Sequence, residues 1–486
     1  MDVEQFRRAG HAAIDRICEY YTNLGAGPVS SSVKPGYLAP LLPDAPPEHG
    51  EDFSAIAADY ERFIVPGLTH WQHPSFFAYF PTAFSFEGIL GDLYATAAPN
   101  PGFNWSCSPA STELEAVVMD WAAKLLGLDP AFYNASGVGG GALQTTASDS
   151  ALIATVAARE RIMSLSAHAQ TPLSLDKLVV YVTTQTHSLG LKAGRVLGLH
   201  VRALEVRAQD SYALRGGVLQ QAMEEDKAAG RWPFILITTV GSTSSGAVDN
   251  LPEIQVVLAN HPEVWLHVDA AWAGIALCCP ETREELYLAA INAAADSFCT
   301  NFHKWGLVNF DASTLWVRDR KVLNAALDVT PPFLRTAHGD SGAVVDYRNW
   351  HLALGRRFRS LKLWFVLRGF GAEGFRKYIR QGIALNAVLG TLIAGSDILE
   401  LVTPPSLALT VFRLAPPGID PSVLNTLNSA FFARLAQRSD LAITQTVLND
   451  VFCVRFAIGA ARTTEMHVRT AFDAIMEEAR ATLTAA

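Results

Sequence analysis

The chain has little that would cross-link it or fix it in a membrane. Its six cysteines (Cys18, Cys107, Cys278, Cys279, Cys299, Cys453) form no Cys-x-x-Cys pair and follow no regular spacing. That pattern indicates neither a disulfide framework nor a zinc site, and reduced thiols are expected. No apolar run reaches the ~18 residues of a membrane span. The opening stretch MDVEQFRRAGHAAIDRICEYY is polar and amphipathic, without the apolar segment of a secretory signal. Basic residues are in deficit: the net charge is −9 and the pI about 5.8. Nucleic acid and anionic membrane surfaces both favour a basic face, so neither is expected as a partner. Internal repeats and low-complexity tracts are missing as well. These absences point to a soluble, cytoplasmic protein with no resident metal.

What is present is a large apolar fraction. Half of the 486 residues are hydrophobic and 17% are charged, enough for two or three packed domains. Residues 1–24 carry helical periodicity, with Phe6, Ala9, Ala13, Ile14, Ile17 and Tyr21 near one face. Residues 25–50, rich in Pro and Gly, read as an extended connector. A second amphipathic helix is expected over 51–65. The stretch HWQHPSFFAYFPTAFSFEG packs aromatics around two prolines, which suits a loop lining a pocket or an interface. Thr112 and Glu115 have capping-box spacing at the start of a helix over 112–127. The segment ASGVGGGALQTTASDS reads as a loop before a helix over 149–164. Short apolar strands then alternate with helices (KLVVYVTT, FILITTV, VWLHVDAA, SFCTNFH, STLWVRD), the pattern of an α/β domain with a largely parallel sheet. A long helix starts beyond Arg356. A smaller α+β tail comes after it, with strands near ALTVFRL and VFCVRFAIG.

One segment poses a chemical question. SFCTNFHKWGLVNF (297–310) is rich in Phe, Trp, Leu and Val, and reads as interior. It nevertheless carries His303 and Lys304, and a lysine without a partner is costly to bury. In α/β sheets, ligands sit beyond the carboxyl ends of the strands. Asp269 ends one expected strand, and Asn301, His303 and Lys304 end another. His187 comes after a third strand, and Ser242, Thr243 and Ser244 after a fourth. The Gly-rich segment leads into a helix N-terminus that suits a phosphate monoester, with Thr145, Thr146 and Ser148 as further donors. Gly137, Gly139 and Ala142 also match G-x-G-x-x-A, a dinucleotide fingerprint, but no convincing strand precedes them and no acid closes the unit. Lysine, carboxylate, imidazole and phosphate site together are what pyridoxal 5′-phosphate (PLP) needs. Each alone has a plainer reading: Lys304 as a snorkelling side chain, Asp269 as a structural pair or metal ligand, His187 and His303 as core histidines, the Thr/Ser run as a helix cap.

Specific stretches then carry a family resemblance over nearly the whole chain: PGLTHWQHPSFFAYFPT, SPASTELEAVVMDW, WLHVDAAWAG, NFHKWGLVNFDAS and DYRNWHLALGRRFRSLKLWFVLR. The chain resembles the group II PLP-dependent decarboxylases, in particular aromatic L-amino acid decarboxylases. The resemblance implies a type I PLP fold and an obligate homodimer. Its parts are an N-terminal wrapping segment (1–85), a large PLP domain with a mixed, mostly parallel seven-stranded sheet (86–362) and a small C-terminal domain (363–486). Lys304 is implied as the Schiff-base lysine, Asp269 as the pyridinium partner and His187 as the ring-stacking histidine, with Ala271 on the other face. Thr146, Ala147, Ser148, Asn301 and His303 are implied at the phosphate, and Thr243 on the Asp269 side of the ring. Trp71, Tyr79, Phe80, Pro81, Thr82 and, from the partner subunit, Phe103 are implied as the pocket for an aromatic L-amino acid, which aromatic side chains suit by stacking and burial.

The chain departs from the family at one position of definite chemistry. The decarboxylases carry Pro-x-Tyr-Leu in a mobile loop, and the tyrosine protonates the carbanion left by CO2. Here Pro331, Pro332, Phe333 and Leu334 occupy that segment without a gap. Phenylalanine has no proton to give, so the carbanion becomes open to dioxygen. An aromatic aldehyde, ammonia and hydrogen peroxide are then expected as products. Slow protonation by water or His187 is the alternative and would leave a non-oxidative decarboxylase. Phe302, where many relatives have Pro or Ala, and the stretch APNPGFNW are smaller departures.

Overall fold

The computed structural model describes residues 1–170 and 173–485. Its centre is a seven-stranded sheet: β1 (Gly140–Gln144), β2 (Leu178–Thr183), β3 (His200–Leu204), β4 (Trp232–Thr239), β5 (Trp265–Asp269), β6 (Ser297–Asn301) and β7 (Ser313–Val317), in the order β1-β7-β6-β5-β4-β2-β3. Pairings from β3 through β6 are parallel, while β7 is antiparallel to both neighbours. β7 alone therefore runs against the rest. The carboxyl ends of β1, β2, β4, β5 and β6 share one edge. β1, β2, β5, β6 and β7 are buried at every position, as expected where helices cover both faces.

The segment expected to be a loop contains β1. Its glycines serve close packing: a Cβ on Gly141 would lie 2.5 Å from the Trp316 ring and 2.6 Å from Met119 Cε. The G-x-G-x-x-A match thus runs from a turn at Gly137 into a strand paired with β7, where a dinucleotide fingerprint would lead into a helix. The register Gln144↔Ser313↔Asn301 sets the end of β1 level with the end of β6, with β7 between them.

The capping box expected at Thr112 is not formed. That helix starts earlier (Pro109–Leu126, with Ser108 as N-cap), because Pro109 suits its first turn. Glu115 is turned inward: it accepts Leu143 N–H at 2.8 Å and pairs with Arg356 at 2.6 and 2.9 Å. The real capping box is Thr146 with Asp149, at the start of helix Ala147–His168. The helix expected over 51–65 is α-helical only over Phe53–Asp59 and continues as a π turn, Tyr60–Ile64.

Helix Arg359–Ala394 leads toward the smaller unit and is broken at Gly371 (φ 60°, ψ 174°), a backbone conformation open to glycine. The smaller unit holds an antiparallel sheet of β8 (Leu399–Leu401), β9 (Leu409–Leu414), β10 (Thr444–Leu448) and β11 (Val451–Ala457), in the order β10-β11-β9-β8. Helices Leu424–Leu435 and Glu465–Ala485 accompany it. The first helix, Val3–Asn23, buries none of its side chains, and Val3 and Phe6 are exposed. No helix among the described residues is long and apolar enough to cross a membrane.

Candidate active site

The shared carboxyl edge gathers the chemistry. Asp269 ends β5 and is 2% exposed. Lys304 lies one short turn beyond β6, in Phe302–Trp305. His187 caps helix Ser188–Leu197 just after β2, its Nδ1 accepting Leu189 N–H at 3.3 Å. The three groups interact. Burial raises the Asp269 carboxyl above its usual range, against the opposing pull of Lys304 and His187. Burial lowers the Lys304 ammonium, which Asp269 opposes and Arg455 reinforces. His187 is also lowered, first by burial and then by Lys304. It is therefore neutral near pH 7. With Nδ1 accepting, its Nε2 carries the proton.

Asp269 is short of partners. Its Oδ1 accepts Ala271 N–H at 3.0 Å and the Cys299 thiol at 3.7 Å. A buried carboxylate with so few donors stabilises a nearby cation, such as a protonated ring nitrogen. The phosphate end has the complementary surplus. The amides of Ala147 and Ser148, the first two of helix Ala147–His168, have no acceptor within the helix, while that of Asp149 is held by Thr146. Asp149, the nearest acid, is turned back onto Thr146 N–H at 3.1 Å. Asn301, whose buried Oδ1 has no hydrogen-bond partner, has the NH2 of its side-chain amide as a donor. His303 Nδ1 accepts Ala312 N–H at 2.9 Å, and burial pushes its pKa down to about 3. The ring is neutral, and its Nε2–H remains available. These are leftover donors at one end and an under-partnered carboxylate at the other, a donor set that fits PLP.

The aromatic loop forms one wall. Phe80 stacks on Trp272 (centroids 4.4 Å apart, 14°), and Trp272 Nε1 donates to Gly241 O at 2.7 Å. Lys304 Nζ lies 6.0 Å and Arg455 Cζ 5.0 Å from the Phe80 centroid. Ala83 N–H donates to His303 O at 2.7 Å, tying the loop to the Lys304 turn. Pro81 packs against Gly459, and Thr82 O accepts Gln72 Nε2. Trp71 stacks on Tyr79 at 5.4 Å, and Tyr79 is exposed in the left-handed region (φ 54°). Ala271, packed beside β6, accepts Asn301 N–H at 2.8 Å. Thr243 is half-buried just beyond β4.

Two residues lie apart from this cluster. Phe333 sits on the short turn Pro332–Leu334 and is 81% exposed. Phe103 lies against Arg348, whose N–H donates to Phe103 O at 3.2 Å. Sequence reasoning missed Arg455, although a buried arginine between Val454 and Phe456 in a strand is itself a signal. Its guanidinium donates to Thr444 Oγ1 at 3.2 Å, while its Nε and Nη2 have no partner.

Residues 35–415 match the pyridoxal-dependent decarboxylase conserved domain. Phenylacetaldehyde synthase from Arabidopsis thaliana is 44% identical over 99% of this chain and 96% of its own length. Tryptophan decarboxylase 2 from Oryza sativa subsp. japonica is 42% identical over 99% of this chain and 95% of its own length. The crystal structure of Oryza sativa TDC with PLP and tryptamine superposes with a TM-score of 0.94 at 36% identity, covering 99% of this chain and 98% of that one.

Proposed function

The chain belongs to the pyridoxal-dependent decarboxylase family, and from that premise we propose that it is an aromatic aldehyde synthase. The reaction takes an aromatic L-amino acid, O2 and H2O to the arylacetaldehyde, CO2, NH3 and H2O2. Similar proteins include both a phenylacetaldehyde synthase and a tryptophan decarboxylase, so similarity does not choose between aldehyde and amine. Phe333 carries the choice. Where the amine-forming relatives are expected to present a tyrosine hydroxyl, this chain presents a ring with no acidic proton.

PLP, bound through the Lys304 amine, supplies an electron sink for the pair that CO2 leaves at the substrate α-carbon. Asp269 keeps the proton on the cofactor's ring nitrogen. His187 and Ala271 hold the two ring faces. Ala147 and Ser148 amides, the Thr146 hydroxyl, Asn301 and the Nε2–H of His303 bind the phosphate, and Thr243 supports the Asp269 side. Arg455, with two unpaired nitrogens beside Lys304, receives the substrate carboxylate. Phe80, Pro81, Thr82, Trp71 and Tyr79 surround the aromatic side chain and exclude water. The exposed apolar face of the first helix supports a homodimer in which Phe103 completes the partner's pocket. Phe333 contributes no proton at the α-carbon, which leaves dioxygen as the acceptor of the electron pair.

The test is product analysis with PLP, air and each aromatic amino acid in turn. Aldehyde and peroxide in near-equal amounts, with little amine, are expected. Phe333→Tyr should shift the product toward amine. Amine without peroxide from the unaltered protein would overturn the aldehyde reading and leave a non-oxidative decarboxylase, in which water or His187 supplies the proton.

A further inference from the structure

Behind Asp269, on the same face of the sheet, runs a file of buried polar groups that the reaction does not use directly. Trp265, His267 and Asp269 alternate along β5 and so share a face. On β6, Ser297 pairs with His267 and Cys299 with Asp269. The contacts obey that register. Trp265 Nε1 lies 2.8 Å from Ser297 Oγ, and Ser297 Oγ lies 2.8 Å from His267 Nδ1. His267 Nε2 is 3.7 Å from Cys299 Sγ, which is 3.7 Å from Asp269 Oδ1. All five side chains are buried.

The file has a direction. Indole N–H is a donor only, so Ser297 Oγ accepts from Trp265, and its own hydrogen is free to go to His267 Nδ1. The neutral imidazole then carries its proton on Nε2 and donates to Cys299 Sγ. The thiol donates to Asp269. Neutrality of His267 agrees with its full burial, which pushes its pKa down to about 3. The direction is set at the Asp269 end: an ionised carboxylate only accepts, so the single thiol hydrogen goes to it, Cys299 Sγ accepts from His267 Nε2–H, and Nδ1 is left to accept from Ser297.

We propose that Cys299 and His267 are positioning residues for Asp269, the last two links of a one-way hydrogen-bond file that keeps its carboxylate ionised toward the cofactor's ring nitrogen. This rests on the reading of Asp269 as the ring-nitrogen partner. Besides Cys299, the titratable groups facing Asp269 are Lys304 and His187, both on the cofactor side. Cys299 is thus the side-chain donor that reaches Asp269 from behind. Without it, the carboxylate competes harder for the shared proton, and the ring nitrogen loses positive character.

The experiment uses the holoenzyme loaded with PLP carrying 15N at the ring nitrogen. Cys299→Val, similar in size but without a donor, should move the 15N resonance toward that of a neutral pyridine and weaken PLP retention about fivefold. Cys299→Ser, which keeps a donor, should restore the resonance. His267→Phe should act in the same direction, and the double variant should lose no more than the larger single loss, because the links are in series. Asp269→Ala, measured alongside, separates two failures. If it loses PLP while Cys299→Val leaves the resonance unmoved, the file is overturned and the role of Asp269 stands. If Asp269→Ala leaves resonance and retention unchanged, both readings fall.

Discussion

Lys304 and Arg455 reach the same aromatic ring: the ammonium lies 6.0 Å and the guanidinium 5.0 Å from the centroid of Phe80. Two desolvated cations at one ring repel each other, and Arg455 accordingly adds to the lowering of Lys304 that burial begins. An amine must be neutral to attack the cofactor's aldehyde. Arg455→Met should therefore move the pH midpoint of PLP capture by the cofactor-free protein upward. It should also raise KM for the amino acid by roughly tenfold to a hundredfold, the usual worth of a hydrogen bond to a charged group. Stopped-flow PLP binding against pH and steady-state kinetics check the two effects separately.

Phe333 offers a cleaner substitution. Its side chain is 81% exposed, and a surface change of this kind stays within about 0.5 kcal/mol of the parent stability. Phe333→Tyr should leave the urea midpoint and PLP retention unchanged while altering the ratio of aldehyde to amine. A change in product ratio with unchanged stability assigns the effect to proton supply. A fall in stability would assign it to the loop's fold.

The sequence carries more of this site than of its supports. Lys304, Asp269 and His187 are legible because each stands at or just beyond the end of an apolar strand, and parallel strands deliver their C-terminal residues to one edge of the sheet. β1 reads as a loop because glycine has low strand propensity. The approach of Trp316 and Met119 to Gly141, and of Trp350 to Gly140, makes those glycines strand residues, and that approach is a tertiary fact. Glu115 misleads for the same reason: its spacing from Thr112 suggests a local cap, and its partner Arg356 is distant in sequence. The file from Trp265 to Asp269 is legible in part. Its β5 members stand at alternate positions, but their pairing with Ser297 and Cys299 needs the strand register.

The Glu115–Arg356 pair predicts a coupling between stability and cofactor binding. Both side chains are nearly fully buried (2% and 3% exposed). Glu115 also holds Leu143 N–H and Arg356 holds Leu143 O, at 2.8 and 3.0 Å. Leu143 lies in β1, just before the turn to Thr146. Removing one partner of a buried pair strands the other charge and costs about 3–5 kcal/mol. Glu115→Gln should lower stability by that order and weaken PLP retention, since β1 sets where the phosphate helix begins. Urea denaturation and PLP dialysis of the same variant check both; a loss of stability with unaltered PLP retention would sink the coupling.

Acid sensitivity is built into two of the buried histidines. Burial pushes both His267 and His303 down to about 3, from an ordinary value of 6.5. Between those values the unfolded chain binds a proton at each that the folded chain refuses. Stability from this source is complete above pH 6.5 and falls as pH drops toward 3, by about 1.4 kcal/mol per pH unit for each histidine at most. Carboxylates released from ion pairs add their own slope, so the informative quantity is a difference. His267→Phe should flatten the dependence of unfolding free energy on pH between 6.5 and 4 by one proton relative to the unaltered protein, whatever its effect on stability at neutral pH. Urea titrations across that range measure the slope directly. An unchanged slope would mean that His267 protonates within the folded protein, and the direction assigned to its hydrogen bonds would fail with it.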